Sequence, residues 1–282
     1  MRLDNKIAVV TGATGGLGQA IARQLARDGA SLLLVARDET TMVPLADSLL
    51  AEQQGALQQF FVVRADLSNP ADVDRIADHC ITVLGGVDIL VNNAAVQGPI
   101  GPLETADWQQ WRQSFDVNFF APARLCQLLI PAMKKRGGGK IINISGGGAT
   151  GPRPDFSAYA AAKCALVRLT ETLAEELKAD HIDVNAVAPG AMNTRMLEQL
   201  LAAGPQAASR EYADALRRRR EGGTPPEKAA ALVALLASSL TDGITGKLIS
   251  AVWDDWEKLP EQREALAGKD LYTLRRVGKP RE

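Results

Sequence analysis

The stretch Lys6-Ile7-Ala8-Val9-Val10, running into Thr11-Gly12-Ala13-Thr14-Gly15-Gly16-Leu17-Gly18, decides the fold. A short apolar, β-branched run reads as a buried strand over 6–10, and the glycines after it read as a tight turn into an amphipathic helix over 17–28. Backbone amides in such a turn can approach a pyrophosphate closely, and the helix N-terminus adds partial positive charge. Gly12, Gly16 and Gly18 give the spacing G-x-x-x-G-x-G, not the commoner G-x-G-x-x-G. Taken alone, the loop has a plain alternative as a structural tight turn.

Outward from this unit the pattern repeats. Short apolar runs predict strands at 31–36, 59–65, 87–91, 139–144, 182–188 and 247–251. Between them, longer amphipathic stretches predict helices near 40–54, 70–84, 105–117, 120–136, 157–180, 194–220 and 225–238. Strands alternating with helices imply an α/β fold, a single doubly wound parallel sheet of about seven strands with helices on both faces. Ligands of such sheets bind beyond the strand C-termini, at the switch in strand order. Function is therefore sought in the segments that follow strands.

The chain has 282 residues, with 32 basic against 33 acidic side chains. That balance gives no nucleic-acid footprint. A 46% hydrophobic and 23% charged composition is ordinary globular usage and supplies a large core. No apolar run is long enough to span a membrane, and the N-terminus shows no signal-peptide pattern, so the expectation is a cytoplasmic protein. Cys80, Cys126 and Cys164 are widely spaced, and the histidines are His79 and His181 alone. No metal site is expected, since adjacent residues such as His79 and Cys80 diverge on a helix. All three thiols are expected to be reduced packing residues.

Three further motifs follow the glycine loop: Asn92-Asn93-Ala94-Ala95, Tyr159-Ala160-Ala161-Ala162-Lys163, and Pro189-Gly190 with Thr194 four residues on. In order and spacing the set resembles the short-chain dehydrogenase/reductase family over about residues 5–250. The resemblance implies a Rossmann-like fold and reversible hydride transfer between a nicotinamide coenzyme and a ketone or secondary alcohol. It also implies that Gly12, Thr14, Gly15, Gly16, Leu17, Gly18, Arg37, Asp66, Leu67, Asn93, Ala94, Tyr159, Lys163, Pro189, Gly190 and Thr194 meet the coenzyme. For Asp66 the alternative is an N-cap of the helix that starts near Asn69.

Coenzyme choice rests on the tip of the second strand, Val35-Ala36-Arg37-Asp38. An acid there would bond the ribose hydroxyls of NAD, whereas an arginine would accept the 2′-phosphate of NADP. Ala36 stands where the acid is expected and Arg37 follows it, so NADP(H) is preferred. NAD(H) stays possible through Asp38.

Tyr159 and Lys163, four apart, share one face of a helix. A neighbouring ammonium would favour the phenolate and draw the phenol down from its usual value of about 10, as a general acid or base requires. By resemblance Tyr159 is that group, Lys163 also holds the nicotinamide ribose, and Asn118 orients a water beside the lysine. One departure stands out. The family's substrate-orienting serine falls at Gly146, with Ser145 one position early. Alternation along a strand disfavours Ser145 as its substitute; Ser145 is kept as a possible catalytic residue. The alternatives to a simple reductase are an epimerase or dehydratase of the same family, or a dinucleotide-binding protein with reduced catalysis.

Residues 196–226 carry Arg217-Arg218-Arg219-Arg220 and then Gly222-Gly223-Thr224-Pro225-Pro226, a helix with a breaker cluster that reads as a substrate lid. The arginines read as a solvated helix face, with an anionic substrate group as the alternative. The expected organisation is one catalytic domain over 1–252 and a C-terminal extension over 253–282, whose Trp253 and Trp256 are expected to anchor packing or an interface. Resemblance implies a small-molecule partner and a homodimer or homotetramer, paired through helices at 105–136 and 157–180.

Overall fold

Seven parallel strands form one sheet in a computed structural model that describes residues 3–53 and 58–276. They are β1 (Ile7–Thr11), β2 (Ser31–Ala36), β3 (Phe60–Arg64), β4 (Ile89–Asn92), β5 (Gly139–Ile144), β6 (Ile182–Ala188) and β7 (Leu248–Ser250), in the spatial order β3-β2-β1-β4-β5-β6-β7. The doubly wound α/β sheet expected from periodicity is the fold. Alternation buries both faces. Val9, Leu33, Leu90, Ile141 and Val184 enter one core, while Ala8, Val10, Leu32, Leu34 and Val91 enter the other. No residue of a strand buried on both sides can slip by one without moving its apolar set to the wrong face.

Helices α1 (Gly16–Arg27) and α9 (Pro226–Ala237) pack together on one face, and α3 (Pro70–Thr82), α5 (Ala121–Lys135) and α6 (Ser157–Glu176) lie on the other. Helix α2 (Glu39–Glu52) borders β2 and β3; residue 54, its expected end, lies outside the described residues. Helix α4 (Trp108–Phe115) does not stop before α5. A π-helical turn, Asp116–Phe120, joins the two, so the expected break at 117–120 is a continuous but under-wound segment.

The single helix expected over 194–220 is two. Helices α7 (Arg195–Ala207) and α8 (Ser209–Glu221) meet just past Gly204, whose φ of 81° is open to glycine and whose neighbour Pro205 lacks a backbone N–H to continue the ladder. Their apolar sides, through Leu197, Leu200, Ala208 and Ala215, close over Phe156.

Beyond β7 the chain folds back on the same body. Trp256, Leu259 and Leu266, the last in the short helix α10 (Arg263–Leu266), enter the core, and the Trp256 indole N–H donates to the Ala251 carbonyl at 3.1 Å. Trp253 is 86% exposed, which leaves the interface half of its expectation open to a partner chain. The segment then runs along β7, where the Leu248 amide donates to the Tyr272 carbonyl at 2.7 Å and Lys247 Nζ donates to the carbonyls of Lys269 and Leu271. Residues 277–282 lie outside the described residues. No described helix is long and apolar enough to cross a membrane.

Candidate active site

At the switch in strand order, β1 lies between β2 and β4, and their C-terminal ends open on one cleft. Thr11 is its keystone. The hydroxyl accepts from the amides of Asn93 (3.0 Å) and Ala94 (3.1 Å) and donates to the Val91 carbonyl (3.3 Å). Asn93 returns the tie, its Nδ2 donating to the carbonyls of Thr11 (2.9 Å) and Gly12 (3.1 Å). Asn92, the residue before it, donates to Asn143 Oδ1 at 2.8 Å, and Asn143 donates to Thr170 Oγ1 at 2.8 Å. This buried polar line ties β4 and β5 to α6, since each donor in it would cost about 1–3 kcal/mol if left unpaired; Asn92 Oδ1 alone in the line finds no partner among the described residues. Nothing in local sequence marks it.

The glycine loop is shaped by close approach. A Cβ on Gly18 would fall 2.1 Å from the Gly12 carbonyl oxygen, and one on Gly12, at φ 65°, would fall 2.8 Å from Ala94 Cα. Gly16 is different: nothing lies within 4 Å of a Cβ built there, so that side of the loop is open. Helix α1 begins after Gly15 with no side-chain cap and no acidic residue in its first turn. Its free amides and positive dipole end therefore face the cleft unneutralised.

The cleft is lined by Gly12, Thr14, Gly15, Gly16, Leu17, Gly18, Arg37, Asp66, Leu67, Asn93, Ala94, Ser145, Tyr159, Lys163, Pro189 and Thr194, all singled out from sequence. Two expected residues stand behind it. Gly190, at φ 87°, lets its loop pack on Val252 Cγ2 and Thr224 Oγ1, which a Cβ would meet at 2.5 and 2.8 Å. Asn118 is buried in the π-helical turn, where Nδ2 donates to the Val96 carbonyl (2.8 Å) and Ser114 Oγ (2.9 Å) and Oδ1 accepts from the Val96 amide (3.0 Å). Such turns recur at functional sites because they re-aim one residue of a helix. Here the amide braces Val96, a wall of the cleft.

Two acidic residues near the cleft have defined local partners. Asp38 is the N-cap of α2, its carboxylate accepting from the Thr40 amide (3.0 Å) and hydroxyl (2.7 Å), and it does not line the cleft. Asp66 does line the cleft but caps nothing: Asn69 caps α3, while Asp66 accepts from the Ser68 amide and hydroxyl. Gln113, Met192, Arg195 and Met196 also line the cleft and were not anticipated. Arg195 and Met196 directly follow Thr194, so extending the motif by two residues would have found them.

Tyr159 and Lys163 lie on the first two turns of α6 and are both buried. Lys163 Nζ sits 5.7 Å from the phenol ring centre and donates to the Ile144 carbonyl at 2.7 Å. The electrostatics differ from expectation. Burial pushes the Tyr159 phenol up, opposed by the guanidinium of Arg153 rather than by Lys163. Burial also holds the Lys163 ammonium down to about 8, so the lysine's own positive charge is weakened. Ser145 Oγ is buried with no hydrogen-bond partner among the described residues, at the cleft wall between Ile144 and Gly146.

The thiols divide. Cys80 and Cys126 are buried and burial raises both to about 12, whereas Cys164 is exposed and is not the packing residue expected. His79 packs edge-on to Phe61, and no group of His, Cys, Asp and Glu among the described residues could hold a metal.

The short chain dehydrogenase family model matches residues 6–204. The chain is a short-chain dehydrogenase/reductase. Among the family's members it is 38% identical to dehydrogenase/reductase SDR family member 4 of Pongo abelii over 198 residues, 70% of each chain. It is 35% identical to the 7alpha-hydroxysteroid dehydrogenase of Escherichia coli K12 over 201 residues, 71% of this chain and 76% of that one. The structure of L-sorbose reductase from Gluconobacter frateurii, complexed with NADPH and L-sorbose, superimposes with a TM-score of 0.79 at 29% identity, covering 88% of this chain and 95% of that one. Family membership makes the chain an oxidoreductase enzyme that works with a nicotinamide dinucleotide. The cradle fits that group: side chains are excluded at Gly12 and Gly18, space is left at Gly16, and the uncapped start of α1 offers amides to a phosphate.

Proposed function

We propose that this enzyme is an NADP(H)-dependent oxidoreductase acting on a ketone or secondary alcohol, with Tyr159 as the general acid or base. The observation that carries the reading is the convergence of Tyr159, Lys163 and the partnerless Ser145 hydroxyl at one end of a cleft whose other end is the glycine cradle. When bound, the nicotinamide coenzyme supplies or accepts the hydride. Gly12 to Gly18 would hold its phosphates with backbone amides, and Asp66, Leu67, Asn93, Ala94, Pro189 and Thr194 would wall it. Lys163 would bond the ribose.

Tyr159 gives its proton to the substrate oxygen in reduction and takes it back in oxidation. A phenol raised by burial is a weaker proton donor in reduction and is scarcely ionised to act as a base in oxidation, so the cation that opposes this burial matters to the rate. Ser145 Oγ, buried and without a partner, donates to the same oxygen in place of the hydroxyl absent at 146. Asn118 holds Val96 and with it the wall opposite. Residues 196–226 form the lid over the substrate.

The coenzyme preference is supported by Arg37 at the cleft and by Asp38, whose carboxylate is committed to capping α2 and so is not offered to a ribose. That L-sorbose reductase is complexed with NADPH supports it further. Self-association as a dimer or tetramer is supported by the stacked Trp108, Trp111 and Phe115 on α4, with Trp108 and Phe120 exposed. Free thiols at Cys80, Cys126 and Cys164 support a cytoplasmic location.

Mixing purified protein with NADPH or NADH and a panel of ketones, while following the absorbance of the reduced coenzyme, tests the reading. Turnover is expected with NADPH, and Tyr159→Phe should lower kcat by about 10²-fold or more. A Tyr159→Phe variant that turns over at the parent rate would remove Tyr159 from the role.

A further inference from the structure

Arg153 stands between the lid and the catalytic helix. Its guanidinium forms a two-pronged ion pair with Glu211 of α8, Nε to Oε1 and Nη2 to Oε2 both at 2.7 Å, across 58 residues of sequence. The same guanidinium lies over the Phe156 ring at 3.9 Å and 5.4 Å from the centre of the Tyr159 ring. Phe156, the N-cap residue of α6, is in turn covered by Leu197 and Leu200 of α7, Ala208 at the α7–α8 junction and Ala215 of α8. The lid is thus tied twice to the turn that carries Tyr159, once by apolar packing and once by charge.

The glycines at 146–148 make room for this. A Cβ on Gly148 would lie 3.1 Å from Arg153 Cβ and 2.5 Å from Ala160 Cβ, and one on Gly146 would lie 2.3 Å from the Tyr159 hydroxyl. The space that a side chain at 146 would fill is taken by the phenol, with Arg153 packed over Gly147 beside it.

We propose that Arg153 is a positioning residue for Tyr159 and that Glu211 sets its position, so that seating of the lid and alignment of the phenol are one event. A fork-to-fork pair fixes both distance and plane, which a lysine or a single contact would not. With its side chain only 17% exposed, Arg153 cannot lose Glu211 without leaving a largely desolvated cation, so the pair is made or broken as a unit. The opposition of Arg153 to the burial of the Tyr159 phenol agrees with this placement. The proposal rests on reading residues 196–226 as the lid and Tyr159 as the proton donor.

The test needs no substrate. Trypsin reads the lid through the four consecutive arginines 217–220 of α8, which become cleavable when that helix opens. Protein labelled with ¹³Cζ-tyrosine reads the phenol, with the Tyr159 signal assigned by Tyr159→Phe. Glu211→Gln and Arg153→Met are each expected to speed cleavage within 217–220 about tenfold and to move the Tyr159 signal, while NADPH affinity stays within about twofold of the parent as evidence of an intact fold. The double variant should match either single one, because both remove the same contact. Where the parent reduces a ketone, both variants should lose about tenfold in kcat with KM little changed, and Arg153→Lys should recover only part of it.

Faster cleavage with an unmoved Tyr159 signal would overturn the proposal, as would unchanged cleavage or additive effects in the double variant. A parent that reduces no ketone would instead count against the proposed function, and the proteolysis and tyrosine readouts would still decide this one.

Discussion

Gly146 lies directly beneath the Tyr159 phenol, so closely that a Cβ at 146 would fall 2.3 Å from the hydroxyl oxygen and 3.0 Å from the ring carbon Cε1. A glycine at 146 is what leaves the phenol its place. Adding a side chain would displace the phenol. Gly146→Ser is expected to destabilise the fold by about 1–3 kcal/mol through overpacking and to lower kcat rather than raise it. Denaturant midpoints and turnover of one ketone measure both. A gain in kcat would mean that the phenol has somewhere else to go.

Arg37 and Asp38 share a strand tip but not a task. Asp38 is held by Thr40 at the start of α2, which leaves Arg37 to face the cleft. A charge-assisted bond to a phosphate is worth about 1.5–3 kcal/mol. Arg37→Ala should therefore weaken NADPH by about tenfold or more while leaving NADH nearly untouched. Coenzyme titration of the intact enzyme checks this, and equal losses for the two would assign the preference elsewhere.

Lys163 makes stability depend on pH in a defined direction. Its ammonium is held down to about 8 by burial, against 10.5 for the exposed group. Between those values the unfolded chain binds more protons than the folded one, so this residue's contribution to stability rises with pH across that window. Below about pH 8 the buried charge costs its full amount, on the order of 3 kcal/mol. In coenzyme-free protein, the advantage of Lys163→Met over the parent should be largest below pH 8 and shrink towards pH 10.5. Chemical denaturation at stepped pH reads it, and a difference that stays flat contradicts the shift.

Strands and glycine loop were legible because their signals are local: a buried parallel strand must be continuously apolar, and a phosphate turn must exclude side chains. The same held for Tyr159 and Lys163, whose spacing alone puts them on one face. What escaped was whatever depends on burial or on partners far along the chain. The π-helical turn around Asn118 leaves no mark in apolar spacing, and the kink at Gly204 is hidden inside an otherwise helical pattern. Proximity of Lys163 to Tyr159 suggested a lowered phenol, yet desolvation is the larger effect and raises it. Ser145 stands just past β5, its amide still donating to the Val187 carbonyl at 2.8 Å, and only burial shows that its hydroxyl finds no partner among the described residues. Arg153 carried no signal, since Glu211 is 58 positions away.

The strap formed by the Leu248–Tyr272 bond has a practical consequence for anyone handling the protein. β7 is the outermost strand, and an uncovered margin of that kind templates pairing with another molecule. Lys247 and Glu171 moor the strap, the latter by accepting from the Leu274 amide and the Arg275 guanidinium. A version shortened to the catalytic motifs, ending near residue 252, would lose both the mooring and the buried Trp256. It should come out of cells as inclusion bodies rather than as a smaller working enzyme.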